Sequence, residues 1–485
     1  MEAGQQNSHN SISLTLAIIP VLTLIILLGL SVYYFSDDSS YGANQVALLI
    51  ATAIAGFIGL KQGFTWQAME QSIIQGISHS MIAILILLMV GALIGSWMLS
   101  GTVQTMIYYG LQLISANWFY AATCIVCAVS AMSIGSSWTV AGTLGVAFMG
   151  MSQAMQLDPA ITAGAVVSGA YFGDKLSPLS DTTNLASAVT GTELFEHIQN
   201  LLWTTVPAFI IALLGFILLG DSRELANQAS IESTMNGLNN HFDLGPHLLL
   251  PVVAVFILAW KQVPALPTIA AGAILGCLFA ATFQENAIAA FISDADISSA
   301  EKTLKAGWIA LFNGYVSNTG NADLDSLLTR GGMSSMLNTV WLIICAMAFG
   351  SIMEHIGLLQ RILQAILSRV RSVTGLIVST VFTCIGSNVL TADQYIGIVL
   401  PGRMYKLEYA RYGLASKNLS RTLEDSATLT SPLVPWNTCG AYMAGTLGVA
   451  TLSYLPYAFF NLLGPVICIA FAVTHFRISP INETT

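Results

Sequence analysis

The sequence predicts an all-α protein that crosses a membrane many times, and composition, segment length and an internal repeat all point to it. Of the 485 residues, 55% are hydrophobic and only 8% are charged, whereas an average soluble protein carries about 25% charged residues. Apolar segments of about 20 residues, which is the length of a membrane-spanning helix, recur along the chain. We therefore expect two inverted repeats with about ten crossings and two re-entrant hairpins.

The first predicted repeat covers residues 1–245. Residues 1–10 hold one acid and no Lys or Arg, so we expect no cleavable signal peptide and a first span that is retained. Polar or mixed composition places residues 61–79 and 101–115 at the interface and 220–245 in a loop. The predicted elements are spans at 12–35, 43–60 and 80–99, a re-entrant hairpin at 117–155, a broken span at 159–192 and a span at 201–219.

The second predicted repeat covers residues 246–485 and has the same order of elements. Its one long polar segment, 284–335, is expected to pack as a surface cap. The predicted elements are spans at 246–260, 268–283 and 336–353, a re-entrant hairpin at 372–404, a broken span at 421–446 and a last span at 454–475.

Matching motifs in the same order indicate that the two halves are duplicates. Ile134-Gly135-Ser136 resembles Ile385-Gly386-Ser387, and Ser177-Pro178-Leu179 resembles Ser431-Pro432-Leu433. Corresponding segments that are interrupted by Gly or Pro in two halves of a membrane protein point to a transporter's binding site. We therefore expect the interrupted segments of both halves to meet at one site.

The distribution of Lys and Arg predicts the orientation of the chain. If each hairpin returns to its own side, every repeat has an odd number of crossings and the second is inverted relative to the first. Most Lys and Arg then fall on the side of both termini, which the positive-inside rule makes cytoplasmic. If each interrupted unit instead crossed the membrane once, more of the Lys and Arg in short loops would lie on the opposite side, which the rule disfavours. If each unit crossed twice, the charge distribution would be the same as with hairpins, so the charges do not separate these two topologies.

The break between residues 174 and 184 carries the strongest chemical signal. Asp174, Lys175 and Asp181 lie within eight residues of each other, beside Ser, Thr, Asn and Pro. Charges in a membrane are costly and are retained mainly where they face a cavity or each other. A buried carboxylate that can hold either a proton or Na⁺ would couple the two ions. We expect Asp174, Asp181 and Asp425 to be these proton-coupled groups.

Oxygen atoms at the two hairpin tips are expected to complete a Na⁺ site, by extension of the preference of hard cations for oxygen ligands. The alternative for these Ser and Thr residues is that they bond the interrupted backbone. For Asp393 we favour a helix cap. Asp425 is the favoured buried acid of the second break, and Glu424 is alternatively a charge at a helix start or at the membrane interface. The predicted ion-binding residues are Ser136, Ser137, Thr139, Asp174, Asp181, Thr182, Ser387, Asn388, Thr391, Asp425, Ser431, Asn437 and Thr438.

Two long motifs resemble the signatures of NhaC-type Na⁺/H⁺ antiporters. They are FGDKLSPLSDTTNLA at 172–186 and LEDSATLTSPLVPWNTCGAY at 423–442. The resemblance implies secondary antiport, inverted repeats, a mobile transport domain beside a scaffold domain, and a homodimer. We therefore expect a Na⁺/H⁺ antiporter of the bacterial inner membrane, with no enzymatic activity, no cofactor and no nucleic-acid partner.

Two other functions remain open at this point. The same family includes malate/lactate antiporters, in which the hairpin N-termini with Lys175 or Arg403 would hold the organic anion. Two acids on separate spans, Asp174 and Asp425, are also conceivable as an intramembrane aspartyl protease. That class does not need duplicated hydroxyl-rich hairpins, so we favour transport.

Overall fold

A computed structural model of the chain describes residues 12–35, 39, 41–220, 224–294 and 296–481, without the side chains of 224–229. Both chain ends, for which the sequence predicts no signal peptide and a cytoplasmic location, lie outside the described residues. So do residues 221–223 of the predicted polar loop.

The described part of the chain is almost entirely helical, apart from turns and two isolated bridges, Tyr315–Arg330 and Leu414–Pro480. Within it, eight helices are long and apolar enough to cross a membrane, or up to ten if each of two bent helix pairs counts as one span. The predicted class, an all-α protein with many membrane spans, is confirmed.

The first half places helices at all of its predicted spans. The predicted loop at 220–245 is wrong where the structure describes it, because Glu224–His241 is helical; its Glu, Leu, Ala and Gln residues favour a helix despite their polarity. The helices are α1 (Leu14–Phe35), α2 (Ala43–Lys61), α3 (Trp66–His79), α4 (Met81–Leu99), α5 (Thr102–Leu113), α6 (Phe119–Ile134), α7 (Ser137–Val140), α8 (Val146–Ala154), α9 (Pro159–Leu176), α10 (Asp181–Thr190), α11 (Leu194–Leu218) and α12 (Glu224–His241).

The second half follows the same plan. Its long polar segment is partly helical and packs on α4, where the Gly332 N–H donates to the Gly91 carbonyl at 2.7 Å. The helices are α13 (Leu250–Trp260), α14 (Ala265–Phe283), α15 (Glu285–Phe291), α16 (Ser299–Asn313), α17 (Ala322–Leu328), α18 (Leu337–His355), α19 (Leu358–Leu367), α20 (Val373–Thr391), α21 (Gln394–Arg411), α22 (Ser416–Leu423), α23 (Thr438–Leu447), α24 (Thr451–Tyr454) and α25 (Phe459–Thr474).

Each interrupted apolar unit folds back on itself. In the first unit, the Asp158 N–H beyond α8 donates to the hydroxyl of Tyr120 at the start of α6, at 3.0 Å. In the second unit, the Tyr412 hydroxyl beyond α21 donates to the carbonyl of Val370 before α20, at 3.5 Å. The two units are therefore helical hairpins whose tips point into the protein.

Candidate functional site

The break between α9 and α10 is satisfied by its own side chains. Helix α9 ends at Leu176, just before Pro178, because a proline disfavours the helical conformation of the residue that precedes it. The Asn184 side-chain amide donates to the carbonyls of Pro178 and Ser180, at 2.9 and 2.8 Å. The Pro178 carbonyl within the break therefore has a hydrogen-bond partner, as an interruption inside a membrane requires.

The first hairpin tip is a tight turn at Gly135 and Ser136. Gly135 has a φ of +76°, and a Cβ atom there would lie 2.6 Å from the Cβ of Leu179. Ser136 caps α7, because its hydroxyl oxygen accepts from the Thr139 N–H at 3.2 Å. A side chain at position 135 would therefore strain the turn and separate the tip from the break in α9.

Asp174 lies against this tip and is only 7% exposed. One of its carboxylate oxygens, Oδ2, accepts from the backbone N–H of Ser137 at 3.1 Å and from the Ser137 hydroxyl at 2.6 Å. Ser137 is the first residue of α7, so the carboxylate sits at the positive end of a helix dipole. The broken helix and the hairpin of the first half thus meet at one carboxylate.

The second tip lies later in the chain than the repeat predicts. Helix α20 continues through Ser387 and Asn388 and ends at Thr391. The turn is at Ala392, which has a φ of +58°, and Asp393 caps α21 by accepting from the Ile396 N–H at 2.9 Å. The expected helix-capping role of Asp393 is confirmed. Of the three residues expected at this tip, Ser387 and Asn388 lie inside α20, whereas Thr391 is its last residue and adjoins the turn.

The second break packs against this tip through backbone groups. Asn437 caps α23, and its side-chain amide donates to the Asn388 carbonyl at 3.1 Å. The Thr438 N–H donates to the Ala392 carbonyl at 2.9 Å. Between α22 and α23 the chain forms a wide π-helical turn at Glu424–Thr428 and a 3-10 turn at Ser431–Leu433.

A fully buried ion pair joins the two halves. The Lys175 ammonium group bonds the Asp425 carboxylate, and neither side chain is exposed. The Thr204 hydroxyl of α11 donates to the same carboxylate oxygen at 3.0 Å. Glu424 is also fully buried, so its reading as an interfacial charge is wrong. Arg403, a predicted anion ligand, is exposed.

A cavity of about 160 Å³ lies between the two tips. Beside it, the Trp138 ring of the first tip stacks on Tyr442 of α23 with centroids 4.0 Å apart. The Tyr442 hydroxyl donates to the Trp138 carbonyl at 2.8 Å. The predicted site residues that line the cavity are Ser136, Ser137, Asp174, Asp181, Thr182 and Thr438.

The other predicted site residues lie away from this cavity wall, and most bond backbone. The Thr139 hydroxyl donates to the Ser136 hydroxyl, and the Asn388 amide donates to the Ala427 carbonyl. The hydroxyls of Thr391 and Ser431 donate to carbonyls of their own helical turns. Asn437 and Asp425 are engaged as described above, and the buried Ser387 hydroxyl has no partner among the described residues.

Several lining residues were not predicted as ligands. Gln394 and Tyr395 are the first residues after the second tip. Asp393 could have located this tip in the sequence, because Asp is a preferred residue at the start of a helix. His79 is exposed and lies on the cavity wall. A second cavity of about 510 Å³ shares His79, Asp393 and Tyr395 with the first, so it adjoins the site.

Comparison with known proteins gives consistent results. The profile of the Na⁺/H⁺ antiporter family matches residues 169–476. The Na⁺/H⁺ antiporter NhaC of Alkalihalophilus pseudofirmus is 40% identical over 88% of this chain and 89% of its own. The malate-2H⁺/Na⁺-lactate antiporter of Bacillus subtilis is 35% identical over 94% of each chain. The arginine/ornithine antiporter ArcD of Halobacterium salinarum is 33% identical over 95% of this chain and 92% of its own.

Proposed function

The chain belongs to the Na⁺/H⁺ antiporter family, and from this premise we propose that it exchanges Na⁺ for H⁺ across a bacterial inner membrane. It is a membrane protein with multiple spans. The observation that carries the proposal is the position of Asp174, a nearly buried carboxylate at the tip of a hairpin and on the wall of a cavity rich in oxygen atoms.

Competition at Asp174 couples the two ions. An ionised carboxylate that is shielded from water needs a counter-charge, which either Na⁺ or a proton supplies. The hydroxyls of Ser136, Thr182 and Thr438 line the same cavity and offer the oxygen ligands that a hard cation takes. When a proton binds Asp174, the charge that attracts Na⁺ disappears, so the two ions occupy the site alternately.

The other two proposed coupling acids act in different surroundings. Asp181 is exposed on the cavity wall, where it attracts cations before they reach Asp174. Asp425 is held by Lys175, whose ammonium group is a built-in cation at the centre of the protein. Release of Lys175 would make Asp425 available to a proton.

The proposed topology has inverted halves, with both termini in the cytoplasm and two chains in a homodimer. The inversion is supported by contacts at the two ends of α1. At its start, the Ile12 carbonyl accepts from Arg361 of α19, which leads into the second hairpin. Beyond its end, Tyr41 lines the same cavity as Pro159, which follows the last helix of the first hairpin. These contacts favour hairpins that open at opposite ends of the bundle.

Proton flux in everted membrane vesicles tests the proposal. Asp174→Asn should abolish Na⁺-dependent proton flux, because an amide neither binds a proton in exchange nor attracts a cation. Asp323→Asn is the matched control, since Asp323 is an exposed acid in the polar segment between α14 and α18. Both variants should insert in equal amounts. Unchanged flux in Asp174→Asn would refute the assignment.

Carboxylate antiport is the second candidate, and the similarity to the malate-2H⁺/Na⁺-lactate antiporter favours it. Against it, the described lining of the cavity offers His79 as its basic side chain, because Lys175 is engaged by Asp425 and Arg403 is exposed. Uptake of labelled malate or lactate, with and without a Na⁺ gradient, separates the two. Uptake that follows the gradient would support the carboxylate antiporter.

A further inference from the structure

Glu424 is a buried acid to which the proposed exchange assigns no role. Its side chain is completely buried in the π-helical turn between α22 and α23. Neither carboxyl oxygen has a hydrogen-bond partner among the described residues, and the Thr428 hydroxyl lies near but outside hydrogen-bonding geometry. A buried polar group without a partner is unusual in a folded protein and calls for an explanation.

Neither neighbouring cation forms a hydrogen bond with Glu424 among the described residues. Lys175 bonds Asp425. The guanidinium group of Arg421, one turn before Glu424, donates from Nη1 to the Asn200 side-chain oxygen at 3.2 Å and to the Arg477 carbonyl at 3.1 Å. An ionised carboxylate without a cation is strongly disfavoured away from water, so these surroundings favour the protonated form of Glu424.

Glu424 is nevertheless electrostatically connected to the exchange site. The charges of Lys175, Asp174 and Asp425 all act on it. His197 of α11, which is also fully buried and has no hydrogen-bond partner among the described residues, interacts with the charge of Lys175 as well. π-Helical turns occur often at functional sites, because the extra residue in the turn leaves backbone groups free to rearrange.

We propose that Glu424 is a second proton-binding residue of the transport cycle. It carries a proton in the arrangement described here and releases it to water when the broken helix moves, so that each cycle moves one proton more than the cavity acids alone would carry. This inference rests on the proposed Na⁺/H⁺ exchange. It predicts that the exchange moves net charge and responds to membrane voltage.

The coupling ratio in proteoliposomes tests the inference. Na⁺ and H⁺ gradients are imposed, and the voltage at which net flux stops gives the number of protons exchanged per Na⁺. Glu424→Gln keeps the size of the side chain and cannot release a proton, so its ratio should be lower than that of the unmodified protein by one. Glu285→Gln, a change at an exposed acid of α15, should leave the ratio unchanged.

The possible results separate this inference from the proposed function. An unmodified protein without Na⁺-dependent proton flux would contradict the exchange itself, whereas an unchanged ratio in Glu424→Gln would overturn only the role of Glu424. If Glu424→Gln folds but does not transport, protons released on Na⁺ binding are counted in detergent. One proton fewer than in the unmodified protein supports the inference, and an equal count overturns it.

Discussion

The two halves of the molecule use the same elements, a hairpin tip against a broken helix, but they place their acids differently. In the first half the broken helix supplies the acid, since Asp174 reaches across to Ser137 at the tip. In the second half the tip supplies its own acid, because Asp393 caps the helix that it begins. The acid of the second broken helix, Asp425, is held instead by Lys175 of the first.

This difference shows how two similar segments can contribute different groups to one site. Asp174 accepts from Ser137 through Oδ2 and lies on the cavity wall, which is the position that the proposed ion exchange requires. Asp425 is paired with Lys175 and does not line the cavity. The acid of the first broken helix therefore faces the cavity, whereas the acid of the second broken helix forms an ion pair that joins the two halves.

The largest effect on stability should follow from removal of the Lys175 ammonium group from the buried ion pair. Lys175→Met leaves the buried Asp425 with the Thr204 hydroxyl but without a cation, and breaking a buried ion pair from one side costs about 3–5 kcal/mol. The partly exposed pair of Lys417 and Glu196 is the control, because ion pairs at the surface contribute about 0–1 kcal/mol. Thermal unfolding of purified Lys175→Met and Lys417→Met measures the difference. Equal unfolding temperatures for the two variants would show that the buried pair stabilises the protein no more than the surface pair does.

Substitutions of Asn388 and Ser137 should separate stability from ion binding. Asn388→Ala leaves the Ala427 carbonyl without its side-chain donor inside the protein, which costs about 1–3 kcal/mol of stability. Ser137→Ala removes one of two donors to Asp174 and should change the Na⁺ concentration at half-maximal flux by about tenfold, the equivalent of 1.4 kcal/mol. Flux at varied Na⁺ concentration, measured beside thermal unfolding, checks both. A larger shift in Na⁺ response for Asn388→Ala would contradict the comparison.

Replacing Gly by Ala at the first tip and Ala by Gly at the second should change the unfolding temperature in opposite directions. A residue with a side chain pays about 1–2 kcal/mol in the left-handed conformation. Gly135→Ala should therefore destabilise the protein by at least that amount, since its new Cβ also meets Leu179. Ala392→Gly should relieve part of the same cost at the second tip. Unfolding temperatures that move in the same direction would show that the two turns are not equivalent.

The smallest effect is expected at the exposed acid of the cavity. Two charges at close range in water interact by about 1 kcal/mol, so Asp181→Asn should raise the Na⁺ concentration for half-maximal flux about fivefold. The maximal rate should be retained, because Asp174 remains in place. Screening provides an independent check: added choline chloride should weaken Na⁺ attraction in the unmodified protein more than in the variant. Complete loss of flux in Asp181→Asn would place it beside Asp174 in importance.

Much of the fold could be predicted because each span carries its own signal. An apolar segment such as 14–35 requires a helix wherever it meets lipid, since its backbone groups have no other partners there. The break at Pro178 was equally visible, because proline interrupts a helix locally. The helix at Glu224–His241 was missed because its residues are polar, although they are compatible with a helix.

The site was harder to predict because its contacts join distant residues. Gly386 suggested the second tip, but a single glycine weakens a helix by only about 1 kcal/mol. The side chain of Asn388 bonds the Ala427 carbonyl, and the helix continues to Thr391. The pairing of Lys175 with Asp425 joins residues 250 positions apart. Neither contact has a local sequence pattern.

The stacked rings of Trp138 and Tyr442 bear on how the protein could change shape. The hydroxyl of Tyr442 also donates a hydrogen bond to the backbone carbonyl of Trp138. The first hairpin and α23 are therefore joined at one point by both a ring stack and a hydrogen bond. A motion of the first hairpin alone would break both contacts, whereas a motion that moves the hairpin and α23 together as one body would keep them.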